Sequence, residues 1–256
     1  MYIPWGPKTA RRPLGRVADF CPICRDFRPF RLAQVETSRS IYYLPYGPRI
    51  FVGFSRTCEE CGMEARADLS TYRARLADPG ADLGTLIAET NPDVRRNWAA
   101  RLILEDRVRS RKLGAGERVT LLREPFDWAD EAVKRHNEEG MLDRPTGLGC
   151  LLTFLAPAAC LGLLPLAWNG PAESIEVATL ALGALCLAFT FLAIVTDGRR
   201  YYRRAILPRL VDAIRPIDPS LEEIEAIFES LRSARGPLAE VGSAREVHHR
   251  LLDPWG

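Results

Sequence analysis

The chain of 256 residues is long enough for one large domain or two or three small ones, its hydrophobic content of 47% is ordinary, and its formal net charge is only +2. It contains no Walker nucleotide-binding loop, dinucleotide-binding glycine turn, zinc-protease helix motif or serine-hydrolase elbow. These absences exclude the enzyme classes that the motifs mark, and we expect a protein that is not an enzyme.

Two Cys-x-x-Cys pairs stand near the N-terminus, Cys21/Cys24 in "FCPICRDF" and Cys58/Cys61 in "TCEECGM". Two such knuckles can place four thiolates around one metal ion, with Zn–S distances of about 2.3 Å. The 33 residues between the pairs exceed the usual spacing of roughly 15 to 20. Runs such as "SIYYLPY" and "RIFVGFSRT" have the composition of strands, so a β-hairpin around the "PYGP" turn can return the second knuckle to the first. This pattern predicts a structural Zn²⁺ site.

Three alternatives remain open for these cysteines. Iron can occupy the same four ligands. A thiol redox centre needs one acidified cysteine at a helix N-terminus, a setting that the strand-like surroundings do not favour. Disulfides need an oxidising compartment, whereas the topology argued below places both pairs in the cytoplasm.

The remaining cysteines and histidines do not suggest a second site. Cys150, Cys160 and Cys186 lie in apolar runs and are expected to pack as small hydrophobic side chains. His248 and His249 are adjacent, so on a helix they point about 100° apart and do not readily chelate one ion.

The segment from Pro4 to Ala67, with its Trp-Gly turn, Cys-Pro-x-Cys knuckle, central "YLPYGPR" and closing Cys-x-x-Cys-Gly, resembles the bacterial zinc-ribbon family. The resemblance covers about a quarter of the chain. It implies a small β-rich ribbon over residues 1–67 with Cys21, Cys24, Cys58 and Cys61 as the metal ligands. The family is largely without an assigned biochemical function, so it implies no reaction. Arg25 departs from the pattern, because such knuckles often carry a glycine with positive φ there.

The next block, residues 68–143, is predicted to be helical and highly charged. Asn91-Pro92 has the composition of a helix start, with Pro at the first helical position. Val94, Trp98 and Leu102 then share one face at four-residue spacing. A second helical stretch follows the Gly114/Gly116 break and is expected to be interrupted at Pro125.

Two long uncharged runs, 148–168 and 177–196, predict a transmembrane helical hairpin over residues 148–196. Cations flank the hairpin on both outer sides and are absent from the turn between the runs. The positive-inside rule then predicts a multi-pass protein of the cytoplasmic (inner) membrane with both termini in the cytoplasm and the lipid bilayer as a partner. Small-residue pairs at four-residue spacing, Ala158/Gly162 and Ala184/Ala188, suggest close packing within the hairpin or between protomers of a homo-oligomer.

The C-terminal block, residues 201–256, is predicted to be a helical tail. Ser220 with Glu223 forms a capping-box pattern, and Ser243 with Glu246 repeats it. Leu221, Ile224, Phe228 and Leu231 form an apolar stripe behind the first cap. We expect this stripe to pack within the protein rather than on a partner.

These elements predict an α+β, membrane-anchored zinc-ribbon protein that acts as a binding or adaptor module at the cytoplasmic face. Protein partners are expected at the ribbon or the C-terminal helices. Residues 1–66 carry 11 Lys/Arg and 6 Asp/Glu, an excess of +5, which four thiolates on one Zn²⁺ reduce to +3. A nucleic-acid-binding or anionic-lipid-binding ribbon is therefore the first alternative, and a thiol redox protein the second.

Overall fold

The computed structural model describes residues 5–41, 44–139 and 172–253. The chain forms two compact units, of which the first joins Met1–Glu139 with Tyr202–Gly256 and the second is Gly140–Tyr201. The first unit begins with one antiparallel sheet of order β1-β2-β3-β4. Its strands are β1 (Trp5–Cys21), β2 (Asp26–Ile41), β3 (Leu44–Cys58) and β4 (Glu64–Arg66).

Helices make up most of the remaining described chain. They are α1 (Leu83–Thr90), α2 (Val94–Asn97), α3 (Ala99–Arg109), α4 (Ala115–Glu139), α5 (Ala172–Tyr201), α6 (Leu207–Ile214), α7 (Leu221–Ser233), α8 (Leu238–Val241) and α9 (Ala244–Leu252). A π-helical turn, Tyr202–Ile206, precedes α6, and 3-10 turns lie at Leu69–Thr71 and Arg215–Ile217.

The predicted transmembrane hairpin is corrected by these helices. The first proposed span, 148–168, lies outside the described residues, and the second, 177–196, lies within α5. In the described parts of the chain, no helix combines the length and the apolar character needed to cross a membrane. The hairpin in the predicted fold class and the predicted inner-membrane localisation are therefore wrong. The absence of charge over a run is therefore not sufficient evidence of a span, which needs both length and apolar character in one helix.

The hairpin of β2 and β3 confirms the predicted return of the chain between the two cysteine pairs. Phe30 of β2 lies opposite Cys58 of β3, and the antiparallel register continues to Ile41 opposite Leu44. The "PYGP" segment lies within β3 rather than between the strands, since β3 begins at Leu44.

The sheet is strongly curled. Strands β1 and β4 are three positions apart in the sheet, which would separate them by about 14 Å if it were flat. Nevertheless, Arg11 of β1 donates two hydrogen bonds to the Glu64 carboxylate of β4, at 3.0 and 3.1 Å. Arg135 of α4 reaches the same residue and donates to the Glu64 carbonyl oxygen at 2.6 Å. Because of this curl, residues of the first strand and of α4 both contact Glu64 in the last strand.

Helices α1 to α3 pack on the end of the sheet where β1 meets β2. Phe20, Phe27 and Val94 form a buried cluster there, with Trp98 and Leu102 packed against it. The predicted Val94–Trp98–Leu102 face is thus confirmed as a packing face. The predicted helix start at Asn91-Pro92 is wrong by about two residues, because Asn91 caps the end of α1 and α2 begins at Val94.

A fully buried carboxylate joins this end of the sheet to the helices. Asp19 is 1% exposed and accepts hydrogen bonds from Trp98 Nε1 at 2.9 Å and from the Tyr72 hydroxyl at 2.6 Å. It also pairs with the guanidinium of Arg56, which lies over the ring of Phe30. A buried charge is tolerated when it is paired and fully hydrogen-bonded, as Asp19 is.

Helix α4 continues through Pro125, so the predicted interruption there is wrong. A proline inside a helix costs about 3 kcal/mol, because a hydrogen bond is lost and the ring crowds the preceding turn. The surrounding residues are buried and each contributes about 1.5–3 kcal/mol on burial, which outweighs that cost. They are Leu121, Leu122, Phe126 and Val133.

The predicted internal packing of the C-terminal stripe is confirmed. Phe228 of α7 is 1% exposed and its ring packs edge-on against Phe126 of α4, with centroids 5.7 Å apart. The Ser220/Glu223 capping box is present at the start of α7, and Ser243 accepts from the Glu246 backbone at the start of α9. The C-terminal helices therefore belong to the core of the first unit.

We predict that Phe228→Ala lowers the free energy of unfolding of this unit by about 3–5 kcal/mol, because it leaves a cavity between α4 and α7. Urea denaturation followed by circular dichroism measures the change. Val119→Ala is the matched control, since Val119 lies on α4 with 59% of its surface exposed and should change stability by about 0.5 kcal/mol or less. Equal effects of the two substitutions would contradict internal packing of Phe228.

Candidate metal centre

Each predicted cysteine pair lies where one strand ends and a tight turn begins. Cys21 is the last residue of β1 and Cys24 lies in the turn to β2, whereas Cys58 is the last residue of β3 and Cys61 lies in the turn to β4. Because β2 pairs with both β1 and β3, the two turns emerge side by side at one end of the sheet.

The four sulfur atoms lie within 4.8 Å of one another. The Sγ atoms of Cys21 and Cys61 are 3.5 Å apart, and those of Cys24 and Cys58 are 3.9 Å apart. A tetrahedron with Zn–S bonds of about 2.3 Å has edges of about 3.8 Å, so the observed separations match a four-thiolate zinc site. Four cysteines close together at these distances can hold a metal ion.

The cluster is enclosed by protein. Cys21 and Cys58 are fully buried, Cys61 is 9% exposed, and Cys24 is partly accessible. The backbone N–H of Cys24 points to the Cys21 sulfur at 3.4 Å. In the second turn, the Gly62 N–H donates to the Cys58 carbonyl at 2.9 Å. These bonds fix the turn shapes that aim the sulfur atoms at one another.

The thiols perturb one another's protonation. The hydrogen bond with Cys24 is the largest cause that raises the pKa of Cys21. The bond with Cys21 is the largest cause that lowers the pKa of both Cys24 and Cys58. Four thiolates this close repel one another strongly, so the cluster cannot ionise completely without a counter-charge. A divalent cation supplies that charge and binds the deprotonated form.

Arg25 is the residue that the sequence places where a glycine is common, and it adopts the left-handed conformation at φ 56°. Its side chain explains why glycine is absent. The guanidinium Nε donates to the buried carboxylate of Glu105 in α3 at 2.7 Å, and Nη1 donates to the Ala213 carbonyl of α6 at 3.3 Å. Arg101 holds the other oxygen of Glu105 at 2.8 Å. The first knuckle is thus fixed to two helices through one side chain.

The second knuckle has cationic neighbours as well. Arg16 of β1 donates to both oxygens of Glu59, at 2.9 and 2.7 Å. Gly62 has φ 68°, and a Cβ there would lie 3.4 Å from a guanidinium nitrogen of Arg209 in α6. Arg209 therefore lies directly over this turn. Its positive charge, with that of Arg25, lies near a cluster that would carry two negative charges as a zinc tetrathiolate.

The sequence identified the four cysteines but not Glu105, Arg16 or Arg209. The only feature of the sequence that pointed to these contacts was the non-glycine residue at position 25 of the first knuckle. Among the other candidates, Cys186 lies in α5 of the second unit, and Cys150 and Cys160 lie outside the described residues. His248 and His249 lie in α9. Within the described residues, the four cysteines are the one group of three or more His, Cys, Asp or Glu side chains that could hold a metal ion.

Comparisons with known proteins return no matching family model, no similar curated protein and no similar solved structure. The likeness to a zinc ribbon therefore depends on the cysteine geometry of this chain.

We predict that Arg25→Ala is less stable than Arg25→Gly by about 1 kcal/mol. Both variants lose the contacts with Glu105 and Ala213, but only alanine keeps a Cβ in the left-handed region. Chemical denaturation of the metal-loaded protein measures the difference. The same pair of substitutions at Arg123, inside α4, should give the opposite order, since alanine is favoured over glycine in a helix by about 1 kcal/mol. Arg25→Ala at least as stable as Arg25→Gly would argue against strain at Arg25.

Proposed function

We propose that the protein is a non-enzymatic binding module whose N-terminal sheet is held in shape by one structural Zn²⁺ on Cys21, Cys24, Cys58 and Cys61. The observation that carries the proposal is the set of four Sγ atoms within 4.8 Å, with two separations close to a tetrahedral edge. All four coordination positions would be filled by protein. Catalytic zinc sites keep one position for water or substrate, so the donor set favours a structural role.

The position of the cluster supports the same role. The ion would join the β1–β2 turn to the β3–β4 turn, and these turns contact α3 and α6 through Arg25 and Arg209. Such an ion stabilises the fold, because the unfolded chain offers no preformed site and binding free energy becomes folding free energy. The thiol redox alternative has less support, because redox cysteine pairs use one acidified thiol at a helix N-terminus, whereas these turns connect strands.

We predict that the purified full-length chain carries one zinc ion per molecule and that Cys58→Ser loses most of it. The variant should also unfold at a temperature lower by on the order of 10 °C, because several kcal/mol of metal-derived stability are lost. Elemental analysis by mass spectrometry and thermal unfolding by circular dichroism measure the two effects.

Cys186→Ser is the matched control, since Cys186 lies in α5 of the second unit. It should leave both zinc content and melting temperature unchanged. Full zinc content in Cys58→Ser would contradict the four-cysteine site, and iron in place of zinc would contradict the choice of metal.

A further inference from the structure

Part of β3 is an exposed sheet edge. Along one side β3 pairs with β2, whereas on the other side β4 pairs only with Ser55, Arg56 and Thr57. One further bond runs from the Ala67 N–H to the Phe54 carbonyl oxygen. Among the described strands, none pairs with this side of β3 at residues 49–53. The outward-facing backbone groups of these five residues are therefore available to another strand.

The side chains of this edge are apolar and exposed. Ile50, Phe51 and Val52 have exposed fractions of 64%, 53% and 57%. Val52 is the extra residue of a bulge in the pairing with β2, and the rings of Phe51 and Phe54 lie 5.1 Å apart on one face of the strand. Exposed apolar edge strands invite pairing with another chain, and proteins usually limit them. Pro48 lacks an N–H and ends the usable edge on its N-terminal side. The free stretch, residues 49–53, is about 17 Å long.

The edge borders a groove of about 800 Å³. Phe51, Val52 and Phe54 of β3 line it together with Ala67 beyond β4 and Trp128 of α4. A segment that continues the line of β4 along β3 would therefore lie in this groove. Its central side chains would contact apolar and aromatic surface, which favours an apolar centre in the bound segment.

Charges on the groove define the rest of the ligand. Arg66 lies where β4 ends and makes no ion pair with a carboxylate in the described chain. Arg49 at the other end is 65% exposed, and its ion pair with Glu36 is long, at 3.8 Å. Cations at both ends favour acidic residues at both ends of the ligand. Arg11 and Arg135 also line the groove but pair with Glu64. Glu131 and Glu138 of α4 line its wall as well and disfavour acidic residues at its centre.

A second copy of the chain fits this edge less well. Two β3 edges could pair antiparallel with Phe51 at the centre. Arg49 of the second copy would then lie opposite Gly53, two positions beyond Arg66 of β4, which lies opposite Ser55. Like charges so close along a strand are unfavourable. The charges thus favour a different protein over self-association.

We propose that residues 49–53 of β3 bind an extended segment of a partner protein as an added strand, with the segment apolar at its centre and acidic at both ends. This mode of recognition uses backbone hydrogen bonds for affinity and side-chain pockets for selectivity. The inference rests on the proposed function as a binding module, to which it adds the place and the chemistry of the partner.

The test uses the full-length chain and two synthetic peptides, Asp-Asp-Val-Thr-Val-Thr-Val-Asp-Asp and the same peptide with lysine at every aspartate. Fluorescence anisotropy of the labelled peptides should show that the acidic peptide binds about tenfold more tightly, as expected for two exposed ion pairs. Hydrogen exchange should slow at the amides of residues 49–53 when it binds. The double variant Arg49→Glu/Arg66→Glu should reverse the preference between the peptides.

The charge-matched control is Arg109→Glu/Arg245→Glu, which changes two exposed arginines on α3 and α9 and should keep the original preference. Absence of binding, equal binding of both peptides, or binding without slower exchange in β3 would overturn the proposal. A concentration-dependent dimer in sedimentation that Phe51→Lys abolishes would also overturn it. So would tighter binding of a single-stranded oligonucleotide that Arg49→Glu/Arg66→Glu weakens. Zinc content is measured on the same samples, so failure of peptide binding with one zinc present rejects this inference alone.

Discussion

Four cysteine sulfur atoms within 4.8 Å of one another are the contact on which the first unit depends. They join two turns that are separated by more than 30 residues in the sequence, and they close the sheet at the end where the helices dock. Arg25 extends from the first turn to α3 and α6, and Arg209 of α6 lies over the second turn. Loosening of the sulfur cluster would therefore disturb the sheet and two helices together. A metal ion bound there would stabilise these helices as well as the sheet.

Two buried carboxylates determine how the helices sit on that end of the sheet. Asp19 meets Arg56, Tyr72 and Trp98, and Glu105 lies between Arg25 and Arg101. A buried ion pair contributes little net stability, because the cost of removing both charges from water offsets their attraction. Breaking one is nevertheless costly, since the remaining charge is left without a partner. These pairs therefore favour one docking arrangement of strand, turn and helix. Alternative arrangements would leave a buried charge without a partner.

Sequence patterns correctly predicted features that depend on residues close together in the chain. Each Cys-x-x-Cys pair, the Ser220/Glu223 capping box and the Val94–Trp98–Leu102 face depend on residues within a few positions of one another, and the structure contains all of them. Long-range contacts could not be predicted in this way. The bond from Arg25 to Glu105 spans 80 residues, and burial around Pro125 decides that α4 continues. The hairpin prediction was wrong because it depended on two uncharged runs, and the absence of charge alone does not establish a membrane span.

The sheet has two ends with different physical character. At one end the cysteines, Phe20 and Asp19 are buried and covered by helices, whereas at the other Ile50, Phe51 and Val52 are exposed. Cys58 lies eight positions after Ile50 in β3, a distance of about 27 Å along the strand. A metal ion at the first end cannot contact a ligand at the second, but it can fix the strand that presents the edge. The extended conformation of β3 is then established before binding, so a partner strand loses less affinity to ordering the edge. In the proposed arrangement, one end of β3 would carry metal-derived stability and the other, exposed end would carry recognition.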